Sequence, residues 1–136
     1  MFEGPQSFHA VQGISFHIGK GQTLALIGAS GSGKSLTSLA IMGLLPKHTQ
    51  QTGYIMLDGT EDVILNKLSE KEWQQVRGNR ISMVFQEPMS ALNPIKTVGS
   101  QLRECILAHQ QMSKEDAKQL AISWLEIVKL PHRAVL

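Results

Sequence analysis

The chain has 136 residues, 42% of them apolar and 18% charged, and its 13 Lys and Arg against 11 Asp and Glu leave a formal charge of +2. That length holds one domain of ordinary size, with enough apolar material for a core, which excludes wholesale disorder. The small positive excess is scattered rather than gathered into a block, which excludes the electrostatic footprint of a general nucleic-acid binder.

In chain order, Ile14 to Ile18 alternates apolar and polar residues and predicts a strand, and Gly19-Lys20-Gly21 predicts a turn. Thr23 to Ile27 is a short continuous apolar run suited to a strand buried on both faces. After the glycine-rich stretch Gly28 to Gly33, Ser35 to Leu45 has the length and composition of a buried helix that Pro46 helps to end. Its apolar stretch Leu39 to Leu45 falls far short of the roughly 20 residues a bilayer crossing requires. Gly53 to Leu57 predicts a strand running into the turn Asp58-Gly59, an antiparallel arm beside a main sheet. Ser69 and Glu72 stand at capping-box spacing, so a short helix is expected to reach Val76 and stop at Gly78.

Ile81 to Phe85 is a second buried-strand candidate, ended by Gln86-Glu87-Pro88, and Asn93-Pro94 keeps the following chain in loop conformation. From Val98 onward glycine is nearly absent and two amphipathic helices are expected, with Cys105, the single cysteine, as a small buried apolar residue. The second helix carries Ala117, Leu120, Ala121, Trp124, Leu125 and Val128 at helical spacing behind Ser113, which is placed to cap its first turn. The change from strand-rich to all-helical character sets a subdomain boundary near Gln86 to Val98. The helical part ends at Leu136 with little to pack against, the pattern expected of a domain cut short.

The strongest chemical feature is Gly28-Ala29-Ser30-Gly31-Ser32-Gly33-Lys34-Ser35, which satisfies G-x-x-x-x-G-K-[ST] between an apolar strand candidate and a helix candidate. A loop that wraps phosphates must aim successive backbone N–H groups inward, and glycines permit the dihedral angles and close approach this needs. The positive end of the following helix adds attraction for the anion, Lys34 can reach the terminal phosphates, and the Ser35 hydroxyl can ligate Mg2+. This loop alone leaves open nucleotide hydrolases, small-molecule kinases and motor ATPases. An acidic residue closing an apolar strand is a further requirement for hydrolysis. Asp58 is the nearest match, but Gly59 behind it favours a hairpin turn, and Pro88 makes Glu87 a better hinge residue than a fixed base. The five histidines show no H-x-x-x-H ligand spacing.

Gly21-Gln22-Thr23-Leu24-Ala25-Leu26-Ile27-Gly28 and the stretch Ile81-Ser82-Met83-Val84-Phe85-Gln86-Glu87-Pro88-Met89-Ser90-Ala91-Leu92-Asn93-Pro94 together resemble the ATP-binding subunit of ABC transporters. The run from Phe85 to Pro94 is similar to the dipeptide, oligopeptide and nickel importer branch, as is Ser38 to Leu45. The resemblance implies an α/β fold of the P-loop NTPase type (ABC-type ATPase), with an incomplete core sheet, an antiparallel β arm and the start of a helical subdomain. Residues 1–97 would form the partial ATP-binding core and 98–136 the helical part. It implies further that Gly28, Ala29, Ser30, Gly31, Ser32, Gly33, Lys34, Ser35 and Leu36 bind ATP, that Ser35 and Gln86 contact Mg2+, and that Lys34 and Gln86 serve hydrolysis. Gln86 would touch the attacking water and link the nucleotide site to the helical subdomain, a role its amide carbonyl suits because it can ligate the metal while its loop moves. The family stacks adenine on an aromatic ring upstream of the first cradle strand; Phe2 falls near that position, with Phe8 as second choice.

The family's signature motif, catalytic glutamate and switch histidine are expected beyond Leu136. The chain is therefore expected to be part of a longer ATPase, trimmed at both ends, that supplies the cradle half of a site completed by a second ATP-binding subunit. The other implied partners are transmembrane permease subunits, docked on Val98 to Leu130 at the cytoplasmic face of the membrane, and indirectly an extracytoplasmic substrate-binding protein, with no nucleic acid. An alternative of another class is a soluble ABC-type ATPase of DNA repair or translation, and for the chain as it stands a nucleotide-binding module without turnover.

Overall fold

The computed structural model describes residues 9–59, 62–87 and 91–130. Its elements are helix α1 (Lys34–Ile41), strands β1 (Met56–Leu57) and β2 (Val63–Ile64), a 3-10 turn at Leu65–Lys67, and helices α2 (Glu70–Val76), α3 (Val98–His109) and α4 (Lys114–Ile127). They group into two compact units, Met1–Trp73 and Gln74–Leu136. Phe2 and Phe8 lie outside the described residues, as do Pro88, Met89 and Ser90.

In the first unit, α1 ends earlier than Pro46 alone predicts. Gly43 takes the left-handed conformation at φ 63, its N–H bonding Ala40 O at 3.1 Å while the Leu44 N–H reaches back to Leu39 O at 2.8 Å. This double closure, with glycine just past the last helical turn, satisfies the terminal carbonyls and sends Leu44 and Leu45 out of the helix. A side chain at Gly43 is also shut out by the Trp73 ring, whose atoms lie 2.5 Å from where a Cβ would stand.

The arm is present: Met56 pairs with Ile64 and Leu57 with Val63 in an antiparallel register, with Asp58-Gly59 leaving β1 for the turn. Asn66 binds the base of the arm, accepting from Ile55 N and donating to Gly53 O, both at 3.0 Å. The turn carrying it buries Leu65 to 1% exposure and packs on α1.

The strands expected at Ile14–Ile18, Thr23–Ile27 and Ile81–Phe85 carry no ladder; Ile81 contributes only an isolated bridge to Arg77. An apolar strand of the parallel type gains its stability from neighbours on both edges and helices on both faces. Among the described residues no strand pairs along these segments, and Ile27 and Val84 stand 91% and 90% exposed.

At α2 the capping box forms as its spacing predicts. The Ser69 N–H donates to Glu72 Oε2 at 2.8 Å, the Ser69 hydroxyl to the same oxygen at 2.6 Å, and the Glu72 N–H returns to Ser69 Oγ at 3.4 Å. The Ser69 hydroxyl, and next the Ser69 N–H, hold the Glu72 carboxyl below its ordinary value of 4.5. Helix α2 stops where Gly78, at φ 78, turns the chain.

The second unit is built on α3 against α4. Their contact buries Ile106, Ala117 and Ala121, with Leu102, Met112 and Leu120 around them. Thr97 caps α3 and Ser113 caps α4, their hydroxyls accepting from Ser100 N at 3.2 Å and Asp116 N at 3.0 Å. The buried stripe of α4 is narrower than its apolar spacing predicts: Ala117, Ala121 and Leu125 are inside, while Trp124 and Val128 are exposed. One neighbouring helix covers about one ridge of small residues, and Trp124 lies to the side of it. Cys105 is likewise exposed rather than buried, because it precedes Ile106 by one residue and is turned about 100° from it around the helix.

Helix α4 closes with the same double bond pattern as α1, Lys129 N to Glu126 O and Leu130 N to Leu125 O, both at 2.9 Å, but the left-handed residue is Lys129 at φ 59.

Two outcomes follow from the termini. The lowered Glu72 carboxyl makes a contribution to stability that is complete above the ordinary carboxylate value and is lost as pH falls through the lowered one. Glu72→Gln should therefore flatten the acid limb of the thermal stability curve below pH 4.5; an acid limb identical to that of the parent chain would contradict it. Lys129→Gly, which relieves the left-handed strain, should stabilise the chain by up to about 1 kcal/mol in denaturant unfolding, and a loss of stability would count against the assigned cap.

Candidate functional site

The loop from Gly28 to Gly33 is shaped by backbone that only glycine accepts easily. Gly31 and Gly33 sit at φ 78 and 89, and Gly31 falls within a turn from Ala29 to Ser32 closed by Ser32 N to Ala29 O at 3.3 Å. A Cβ on Gly28 would stand 2.6 Å from Ser32 Oγ, and one on Gly33 would stand 2.6 Å from Val11 Cγ2 and 3.0 Å from Ala10 O. Val11 and Ala10 thus form the floor beneath Gly33, a role that sequence spacing does not announce.

Gly33 is the N-cap of α1 and supplies no side-chain cap. The first helical bond runs from Thr37 N to Gly33 O at 2.8 Å, reinforced by the buried Thr37 hydroxyl on the same oxygen at 3.0 Å. The N–H groups of Lys34, Ser35 and Leu36 therefore have no acceptor within the helix. They belong to an open concavity of about 150 Å³ lined by Gly31, Ser32, Gly33, Lys34, Ser35 and Leu36. The positive end of the helix dipole falls at the same place.

Lys34 folds back across the loop. Its Nζ donates to Gly28 O at 2.7 Å, to Ala29 O at 2.6 Å and to Ser32 Oγ at 3.3 Å. An ammonium has three protons, and here each has an acceptor on the loop that precedes the helix. The side chain acts as a strap between the two ends of the loop, and Lys34 is among the residues lining the concavity. The Ser35 hydroxyl is exposed and has no hydrogen-bond partner among the described residues.

The structure thus brings Gly28, Ala29, Ser30, Gly31, Ser32, Gly33, Lys34, Ser35 and Leu36 together in one loop and helix start. Gln86 lies in the second unit, exposed on a bend with Glu87 beside it. Among the described residues no group of three His, Cys, Asp or Glu side chains could hold a metal. The donor set of the loop, with backbone N–H groups, an ammonium and hydroxyls, fits a phosphate group.

A family model described as ABC transporter matches residues 11–136. The chain is 45% identical over 130 residues to the oligopeptide transport ATP-binding protein AppD of Bacillus subtilis, covering 93% of this chain and 38% of that protein. It is 48% identical over 124 residues to the oligopeptide transport ATP-binding protein OppD of the same organism, covering 90% and 34%. The dipeptide transport ATP-binding protein DppD of Bacillus subtilis is likewise 48% identical over 124 residues, covering 90% and 36%. The chain spans little more than a third of the length of these relatives.

The two glycines of the loop should differ in their response to substitution. Gly33→Ala meets both left-handed strain and the Val11 floor and should destabilise by about 1–3 kcal/mol, whereas Gly31→Ala meets open space and only the strain of about 1–2 kcal/mol. Equal losses in denaturant unfolding would contradict the packing assigned to Gly33.

Proposed function

The chain belongs to the ABC transporter family, and from that footing we propose that it is the ATP-cradle part of a subunit that couples ATP binding and hydrolysis to the import of peptides or nickel. The observation that carries the cradle is the loop itself: three first-turn N–H groups without helical acceptors and the Lys34 ammonium meet at one concavity. Family membership implies ATP as the nucleotide.

In this reading Gly28 to Gly33 wrap the phosphates with backbone N–H groups, and Leu36 extends the same row. Lys34 gives up its loop acceptors for phosphate oxygens, an exchange of neutral carbonyls for charged partners that strengthens each hydrogen bond. Ser35 offers its hydroxyl to Mg2+, which when bound supplies positive charge against the phosphates. Gln86 offers its side-chain carbonyl to the same ion and orients water, and Phe2 stacks the base.

The three relatives support peptide transport over a soluble ATPase of repair or translation, since all are ATP-binding proteins of oligopeptide or dipeptide transport. The partners proposed for the whole protein are a second ATP-binding subunit, permease subunits reached through the α3 and α4 region, and indirectly a substrate-binding protein. Its proposed place is the cytoplasmic face of the membrane. No helix among the described residues is long and apolar enough to cross a membrane, so attachment would be through those permease subunits.

Lys34→Ala should weaken MgATP binding on the order of 10- to 100-fold, the worth of charge-assisted hydrogen bonds lost at one group. Calorimetric titration of a folded variant reads this directly, and an unchanged affinity overturns the cradle.

A further inference from the structure

The chain that leaves Gln86 joins α3 through Asn93 to Thr97, and one side chain binds both ends of that segment. Gln101 Oε1 accepts from Asn93 N at 2.9 Å, while its Nε2 donates to Asn93 O and to Lys96 O, both at 3.1 Å, with Thr97 O at 3.5 Å. Within the segment, Asn93 Oδ1 accepts from Ile95 N at 3.0 Å and Lys96 N donates to Asn93 O at 3.2 Å. Three residues along α3 from Gln101, Glu104 takes the Lys96 ammonium on both oxygens at 2.7 and 3.0 Å. Positions three apart share a helix face, so both fastenings lie on one side of α3.

Apolar burial does not hold this segment: Ile95 is 89% exposed and Leu92 41%. The Lys96–Glu104 pair is solvated on both sides, and such pairs contribute little. Beyond the Thr97 cap at its end, what remains is the carboxamide. It accepts and donates at once, which neither a carboxylate nor an ammonium can do.

We propose that Gln101 is a positioning residue that fastens Asn93–Thr97 to α3, so that a displacement of Gln86 is passed to the helix rather than absorbed in a slack loop. This rests on the nucleotide-sensing role proposed for Gln86. A glutamine one turn into α3 thereby sets how stiffly the Gln86 side of the site is tied to the α3 and α4 pair.

Amide hydrogen exchange on the full-length protein, with and without MgATP, tests it. Without nucleotide, Gln101→Ala should speed exchange at Asn93 and Ile95 by about tenfold, the loss of a hydrogen bond or two, and leave the α4 amides of Ala121 and Leu125 unchanged. With MgATP, the variant should bind as the parent does but lose the nucleotide-induced change in α3 exchange. Should Gln101→Ala loosen α4 as well, Gln101→Glu decides: it keeps the length and the acceptor for Asn93 N, yet sets a negative charge against two carbonyls, and should show the same local loss. Parent-like protection of Asn93 and Ile95 in both variants, or an α3 response to MgATP that survives them, overturns the proposal. A parent protein that binds no MgATP defeats the nucleotide reading instead, and the nucleotide-free comparison still decides whether Gln101 fastens the segment.

Discussion

Left-handed backbone at two glycines, closed by an ammonium group reaching back from the first turn of a helix, sets the loop shape on which the rest depends. Lys34 ties Gly28 and Ala29 to the start of α1, and the glycines between them provide a backbone that can close that short circuit. The consequence is electrostatic. Carbonyls are gathered under the strap, while the N–H groups at the helix start are left unbonded toward solvent, and a group rich in negative oxygen answers both the unbonded donors and the helix dipole. Without the strap and the two left-handed glycines, the same residues would be an ordinary polar turn before a short helix.

Much of this was legible in the residues because it is local. The capping box at Ser69 and Glu72 and the Ser113 cap depend on contacts within a few positions and take the form their spacing predicts, and the β arm ahead of Asp58-Gly59 forms too, though its first strand is confined to Met56–Leu57 rather than running from Gly53. The readings that failed depend on partners elsewhere. Thr23–Ile27 and Ile81–Phe85 have the composition of buried strands, but composition describes what a segment would bury and not whether a neighbour is there to bury it. Trp124 and Cys105 failed for a related reason, since apolar spacing overstates a buried stripe when a single helix packs against it. The early end of α1 was visible in principle: Gly43 precedes Pro46, and a glycine directly after the C-cap residue is a stronger stop than a proline three positions further on.

The second unit shows a different use of polar side chains. Where α3 meets α4, burial of small residues does the work. Where the chain from Gln86 enters α3, a carboxamide does it in place of apolar packing. Such a joint can be stiff while leaving Ile95 bare to solvent, a combination that hydrophobic packing cannot provide.

Where a nucleotide touches the chain decides whether this loop is a phosphate site. Backbone amide shifts followed by NMR during titration with MgATP give that location residue by residue. Saturable shifts concentrated at Gly31, Gly33, Lys34, Ser35 and Leu36 are the predicted result. A titration that leaves those amides unmoved, or moves a set elsewhere in the chain, contradicts the assignment of this loop as a phosphate site.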